Sequence, residues 1–234
     1  MLRVKNEARW IERVIRSLQP LCSRVYVMDD HSDDGTPFIC ASIPGVTVFD
    51  SPFAGLDESR DKDWLLGKIR IDGADIVVAI DGDEVLEPGG QDKIHKAVRR
   101  GNAWTMRVLY AWNDDHHVRV DGVYARMHRP SMFRLGACQR GFLKTPFGNG
   151  ANLHCSSVPQ ELLHGAMQTD IRLLHLGYRD REDRLRKFAW YRSIDPDNPA
   201  EDGYRHIVQG DLPEIPAAAR LRHAGPLTLQ PFQI

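Results

Sequence analysis

Charge of one sign is what this chain most clearly lacks. Its 31 Lys and Arg face 32 Asp and Glu in 234 residues, a formal net charge of −1. A balance that close leaves no electrostatic footprint for nucleic acid. Long apolar runs are missing as well: nothing approaches the ~20 residues a membrane-spanning helix requires. The opening Met1-Leu2-Arg3-Val4-Lys5-Asn6-Glu7 turns polar too early for a secretory signal. Cysteine is sparse, and Cys22, Cys40, Cys138 and Cys155 show no C-x-x-C spacing. That argues against a zinc site or a disulfide framework and for reduced core thiols in the cytoplasm. Repeats and low-complexity tracts are absent too. The remainder, 42% hydrophobic and 27% charged, is the composition of one soluble domain with room for an elaborated second half.

The richest stretch is Ile76-Val77-Val78-Ala79-Ile80, an aliphatic run that ends in Asp81-Gly82-Asp83-Glu84. Such a run reads as a buried strand whose carboxyl end reaches the surface. In open α/β sheets that edge is where ligands bind. Clustered carboxylates repel, so a positive partner is expected among them, most simply Mg²⁺ or Mn²⁺ given oxygen ligands. A polar turn after a strand is the competing reading of the same residues.

The flanking pattern alternates strand and helix. Asn6 is a candidate N-cap for a helix carrying Ile11, Val14, Ile15 and Leu18, one apolar stripe ending at Pro20. Val25-Tyr26-Val27-Met28 reads as a strand running into Asp29-Asp30, and Thr36 as an N-cap followed by Pro37. Val46 to Phe49 is a third strand, Asp57 to Ile71 a helix with Trp64, Leu65 and Ile69 inward, and Gln91 to Arg100 a short helix. This alternation predicts an α/β fold with a mainly parallel sheet flanked by helices. Beyond residue 102 the pattern predicts a smaller mixed β region. Its parts are a strand over Ala103 to Trp112, a hairpin near Asp121-Gly122, short strands at Met132 to Leu135 and Ile171 to His175, and loops over 136–170. Arg181 to Ile194 reads as a helix with Leu185, Phe188, Ala189 and Arg192 at helical spacing. One domain is expected, with residues 1–101 holding one ligand half, 102–195 the other, and a proline-marked tail at 196–234 wrapping it.

Three segments in order, Arg3-Val4-Lys5-Asn6-Glu7, Val25 to Thr36 and Ile76 to Glu84, resemble the nucleotide-sugar-binding half of family 2 glycosyltransferases, which have the GT-A fold. The resemblance implies an inverting, metal-dependent transfer from a nucleotide-sugar, with UDP as the expected nucleotide. It implies that Asp30 receives uracil N3–H, a task suited to a charged acceptor. Val4 and Glu7 would line the nucleoside pocket, Gly82 the donor site, and Asp81 the ribose or donor sugar. Asp83 would bind the divalent cation, Mn²⁺ or Mg²⁺, with His175 completing its shell. Arg60 and Lys62 would assist the donor, and one or two of Arg179, Arg181, Arg184, Arg186 and Lys187 would reach the diphosphate.

The general base is where the chain departs from the family pattern. In related lipopolysaccharide-core glucosyltransferases a His-Glu pair precedes the late histidine; here that place reads Leu153-His154-Cys155, and a thiol is a poor substitute for a carboxylate. Glu161 and Asp121 are the candidates, with Asp114 and Asp115 nearby. Asp121 also suits a turn and Glu161 a first helical turn. The resemblance is compatible with a saccharide acceptor, or with a lipid-linked one met from the cytoplasm at the inner membrane face. Tyr110, Trp112, Tyr124 and Phe147 are candidate sugar-stacking aromatics. Two other classes fit parts of the pattern: a sugar-phosphate nucleotidyltransferase, against which Lys5-Asn6-Glu7-Ala8-Arg9 lacks the expected glycines, and a degenerate, non-catalytic nucleotide-sugar-binding module.

Overall fold

The apolar stripe Ile11, Val14, Ile15 and Leu18 of helix α1 (Ile11–Leu18) is wholly buried, in one core cluster with Leu2, Val4, Val25 and Val27 of the two strands that flank it in sequence. Those strands, β1 (Leu2–Val4) and β2 (Val25–Asp29), run parallel, and β3 (Val46–Asp50) adds on the far side of β2. All five residues of β2 are buried, as a two-face-covered parallel strand requires. Helix α2 (Thr36–Ser42) makes the crossover to β3. Helix α3 (Glu58–Ile71) is capped by the Asp57 side chain, which accepts from the Arg60 amide at 3.1 Å. The computed structural model describes residues 1–139, 141–144, 155–195, 204–221 and 223–233.

Strand β4 (Ile76–Val78) lies next to β1, where the Met1 nitrogen donates to the Val78 carbonyl at 2.8 Å. The chain then passes through Asp81-Gly82-Asp83 into β5 (Glu84–Leu86) and α4 (Gly90–Ala97). Strands β6 (Ala103–Trp112), β7 (Asp114–Arg119) and β8 (His128–Arg134) follow. After β9 (Phe142–Lys144) and β10 (Cys155–Pro159), which pair antiparallel, come β11 (Met167–His175), α5 (Arg181–Ile194) and β12 (Leu229–Pro231). The second sheet is mixed: β6 pairs parallel with β11 and antiparallel with β7 and β8, while β5 runs antiparallel to β11. The α/β class expected from the sequence is the one observed, with a three-stranded parallel sheet of β1, β2 and β3 and a larger mixed sheet.

Several local expectations are corrected. Asn6 caps no helix: it has φ 55°, its amide donates to Ser32 Oγ at 2.8 Å, and its side chain accepts from the Asp33 amide at 3.0 Å. It stitches the end of β1 to the Asp-rich loop, so α1 starts at Ile11 instead. The hairpin turn is at Asn113 (φ 72°), between β6 and β7. Gly122 opens a 3₁₀ turn, Gly122–Ala125, because Asp121 just before it is held by Arg119. The run Ile76–Ile80 opens outward at Asp81, whose side chain is 42% exposed, whereas Asp83 is 2% exposed and Glu84 fully buried. Part of 136–170 is ordered in β9, β10 and β11. Helix α5 buries Asp183 and Arg184, while Ala189 and Arg192 are exposed. The positions His154, Phe147, Pro196 and Pro199 lie outside the described residues.

Candidate functional site

The strands of the parallel half end on one side, and the loops that follow them meet in a cavity of about 310 Å³. Val4 and Glu7 come from the end of β1, and Asp30 from the end of β2, where its amide donates to the Val4 carbonyl at 2.8 Å. The loop after β2 is folded by its own acids. Asp29 accepts from the Ser32 amide at 2.9 Å, and Asp34 from the Ala8 and Thr36 amides at 2.9 and 3.0 Å. Burial opposes the Asp34 anion, but the Thr36 hydroxyl, which donates to it at 2.5 Å, and these two amides hold its carboxyl below the usual range. Asp30 is 5% exposed and takes Arg3 Nη2 at 2.6 Å, while Arg3 Nε is held by Asp61 at 2.8 Å.

Asp81, Gly82 and Asp83 close the floor. A methyl group on Gly82 would stand 2.9 Å from Val4 Cγ1 and 3.0 Å from Glu7 Cγ, so only glycine lets this turn approach β1 so closely. Asp81 accepts from Arg129 Nη1 at 2.7 Å, and the same guanidinium contacts Glu84. Burial disfavours the Asp81 anion, yet Arg129 and Lys62 more than offset it and hold its carboxyl well below the usual range. Glu84, with burial dominant, is pushed up to about 7. Arg129 on β8 was not anticipated by the sequence reading, and nothing local announces it: 48 residues separate it from Asp81.

The rest of the floor comes from β11 and α5. His175 stands opposite Glu84 in the β11–β5 register, with Nε2 3.5 Å from Asp83 Oδ2. Its ring sits 4.8 Å from that of Tyr110 and 4.6 Å from that of Tyr178. Burial pulls it down to about 4, so the imidazole is neutral at physiological pH. Lys187 on α5 contacts Asp83 directly. Burial opposes ionisation of Asp83, but His175 and Lys187 beside it keep its carboxyl low. Glu7 is pushed up to about 8 by burial and by Asp83. Arg186, Trp190 and Tyr191 of α5, with Lys5 and Glu58, complete the walls.

The cavity therefore gathers nine of the residues given a site role from sequence: Val4, Glu7, Asp30, Asp81, Gly82, Asp83, His175, Arg186 and Lys187. Four others are not among the described residues that line it. Arg60 is held by Asp61, by the Ala54 and Gly55 carbonyls and by the Phe53 ring. Lys62 is buried behind Glu58, 3.0 Å from its carboxylate. Asp121 receives Arg119 on both oxygens at 2.9 Å and the Thr228 amide at 3.0 Å. Glu161 accepts from the Gln139 amide at 2.5 Å. Neither proposed base reaches the cavity. Asp115 and Asp114 are also engaged, by Arg13 and Arg179 and by His117. Of the basic segment, Arg186 and Lys187 line the cavity, whereas Arg179, Arg181 and Arg184 serve Asp115, Asp180 and Asp211.

No family model matches the chain. Over most of its length it superposes on mannosyl-3-phosphoglycerate synthase from Rubrobacter xylanophilus, with a TM-score of 0.51 at 14% identity, covering 99% of this chain and 84% of that one. Glucosyl-3-phosphoglycerate synthase from Mycobacterium tuberculosis gives 0.50 at 17% identity over 83% and 78% of the two chains. S. aureus TarS gives 0.50 at 11% identity, covering 89% of this chain and 41% of that one. The fold is GT-A-like. In sequence the chain is similar to an uncharacterized glycosyltransferase of Rickettsia bellii, 28% identical over 137 residues, 53% of this chain. The match spans 42% of that relative's length.

The residues present can be tested against the divalent cation that the GT-A resemblance implies. Among the described residues no three His, Cys, Asp or Glu side chains form a metal cage. Two donors do converge: the Asp83 carboxylate and the neutral His175 imidazole, one hard oxygen and one borderline nitrogen. That pair suits Mn²⁺ or Mg²⁺ when diphosphate oxygens and water fill the remaining positions. The buried His175 Nδ1 has no hydrogen-bond partner among the described residues. No helix among the described residues is long and apolar enough to cross a membrane.

Proposed function

We propose that this chain transfers a sugar with inversion from a UDP-sugar to an acceptor hydroxyl. The observation that carries the reading is the meeting of Asp30, Asp81-Gly82-Asp83 and His175 in one cavity whose outer wall is basic. Asp30 presents an anionic acceptor at the β1–β2 end, where a uracil N3–H would bind with roughly twice the strength of a neutral bond. Asp81, fixed by Arg129, faces the ribose or the sugar. A divalent cation held by Asp83 and His175 would supply Lewis-acid neutralisation of the departing diphosphate. Arg186 and Lys187 place positive charge where the leaving group's negative charge develops. A saccharide or lipid-linked acceptor would approach past the exposed Trp190 at the cavity wall. The similarity to the rickettsial glycosyltransferase supports the same class.

The test is calorimetric titration with a panel of UDP-sugars in the presence of Mn²⁺. Wild type binds at least one of them, and Asp30→Ala and Asp83→Ala each lose at least about tenfold in affinity, one charge-assisted contact's worth. Absence of binding by every UDP-sugar overturns the reading. A second reading, a nucleotide-sugar-binding module without turnover, is favoured by one observation: Asp121 and Glu161 both lie away from the cavity. Donor hydrolysis or transfer above the buffer rate removes it.

A further inference from the structure

Lys187 is in an unusual place for a lysine. It sits among Asp83, Glu7 and Tyr191, its side chain 14% exposed, with the ammonium on the Asp83 oxygen that also faces His175 Nε2. The contact is built in. Gly177, between His175 and α5, has its Cα packed on the pair, and a Cβ there would fall inside both the Asp83 carboxylate and the Lys187 ammonium. The Leu176 amide donates to the Asp83 carbonyl at 2.8 Å and fixes that residue's backbone. The helix carrying Lys187 is held one turn earlier by Arg184, which bridges both Asp211 oxygens, the Tyr178 and Arg179 carbonyls and Asn113. A cation and Lys187 cannot both occupy the same carboxylate oxygen.

We propose that Lys187 is a tethered counter-ion that competes with a cation for Asp83 and moves onto the donor diphosphate when nucleotide and cation enter together. The idea rests on the divalent-cation reading of Asp83 for its first half and on the nucleotide-sugar reading of the cleft for its second. The ammonium satisfies Asp83, so a dication entering alone must displace it and meets its repulsion. A diphosphate offers the ammonium a new anionic partner, and the cost of displacement falls. Cation and nucleotide then bind with positive coupling, which linkage makes reciprocal.

The decisive measurement is Mn²⁺ binding in the absence of nucleotide, read from loss of the free-ion EPR signal. Wild type binds Mn²⁺ weakly, whereas Lys187→Met and Lys187→Gln bind it at least about tenfold more tightly, since even water-screened repulsion between an ammonium and a dication at contact distance exceeds that factor. Lys187→Arg stays weak because it keeps the charge. Adding Asp83→Asn to Lys187→Met abolishes the gain, which ties it to this carboxylate. If both neutral variants keep the wild-type melting temperature and show no gain, the counter-ion role is overturned. UDP titration separates this from the broader reading. In wild type, UDP and Mn²⁺ each tighten the other at least about fivefold, the low end of ordinary coupling. UDP binding without that mutual effect overturns the hand-over while leaving the nucleotide-sugar reading standing. Failure to bind UDP at all sinks the nucleotide-sugar reading and the hand-over with it, and the nucleotide-free Mn²⁺ result still decides the counter-ion role.

Discussion

Asp121 separates a chemical role from a structural one. It sits beside a guanidinium that is 1% exposed: Arg119 gives Nε and Nη2 to the two Asp121 oxygens, Nη1 to the His206 carbonyl at 2.6 Å, and a further contact to Gln209. The Trp112 and Tyr124 rings cover it at 4.7 and 4.3 Å. Gln209 in turn donates to the carbonyls of Ala217, Ala219 and Gly225, so this cluster clamps the C-terminal segment to β7. Asp121→Ala strands a buried cation and removes the acceptor of the Thr228 amide. Breaking one partner of a buried pair costs about 3–5 kcal/mol. For a chain of this length, at roughly 2–4 °C per kcal/mol, the melting temperature falls by about 6–20 °C. Scanning calorimetry measures that fall, and limited proteolysis reports release of residues 204–233. Replacing the pair together, Arg119→Met with Asp121→Leu, recovers at least half the loss, because an apolar filling of a buried ion-pair site is often neutral. Asp121→Asn, which keeps an acceptor, retains donor affinity and turnover in the folded protein. The reasoning is refuted if Asp121→Ala melts with wild type while transfer drops a hundredfold; that result returns Asp121 to the chemistry.

Three further outcomes are expected. Gly82→Ala pushes a methyl group to 2.9 Å from Val4 Cγ1; overpacking of this kind costs about 1–3 kcal/mol, read as a lower melting temperature and weaker UDP binding. Arg60→Ala leaves donor affinity within about twofold of wild type and costs roughly 1 kcal/mol or less in urea unfolding, since this partly exposed side chain holds Asp61 and stacks on Phe53 at 4.3 Å. The Cys40 and Cys155 thiols are pushed up from 9.0 to about 12, chiefly by burial. They resist iodoacetamide at pH 8 until the chain is unfolded. The sign for stability is set by the proton count: between pH 9 and 12 the unfolded chain has released thiol protons that the native state retains, so stability falls as pH rises through that window. Urea midpoints at pH 8 and 10.5 measure the slope, and Cys40→Ala reduces it.

What could be read from sequence was what local periodicity and strand ends control. The α1 stripe, the helix over Asp57 to Ile71 and the carboxylate-tipped end of β4 each depend on residues within a few positions of one another. The ends of β2 and β4, which carry Asp30 and Asp81–Asp83, belong to different sheets but open into one cavity. Partner choice among charges was not legible. Arg129 to Asp81 spans 48 residues and Lys187 to Asp83 spans 104, and a surface-compatible Arg or Lys carries no mark of which carboxylate it will meet. The Asp121-Gly122 misreading has the same origin. Asp-Gly is a turn signal only while the aspartate is free, and Arg119 two residues earlier takes both its oxygens. Asn6 likewise turns away from capping because Ser32 and Asp33 engage it from across the loop.

The basic wall of the cleft follows from the same long-range charge pairing. An amphipathic helix is normally seated by an apolar stripe, which tolerates rotation and sliding because the hydrophobic effect has no direction. Helix α5 has such a stripe in Leu185, Phe188 and Tyr191, packed against Ile207, Val208 and Ile215, and in addition it buries Asp183 and Arg184. Arg184 reaches Asp211 of the C-terminal segment and Asn113 of the β6–β7 turn, and Arg9 reaches Asp183 and Asp180 from the loop after β1. These bonds are directional, and those of Arg184 are shielded from solvent, so they fix the helix in rotation as well as in position. Lys187 lies one turn beyond Arg184 and inherits that orientation. The carboxylates of the nucleotide half thus meet their counter-charge through a helix braced at once against the N-terminal loop, the β6–β7 turn and the C-terminal segment. The cleft is complete only when all three are folded onto it.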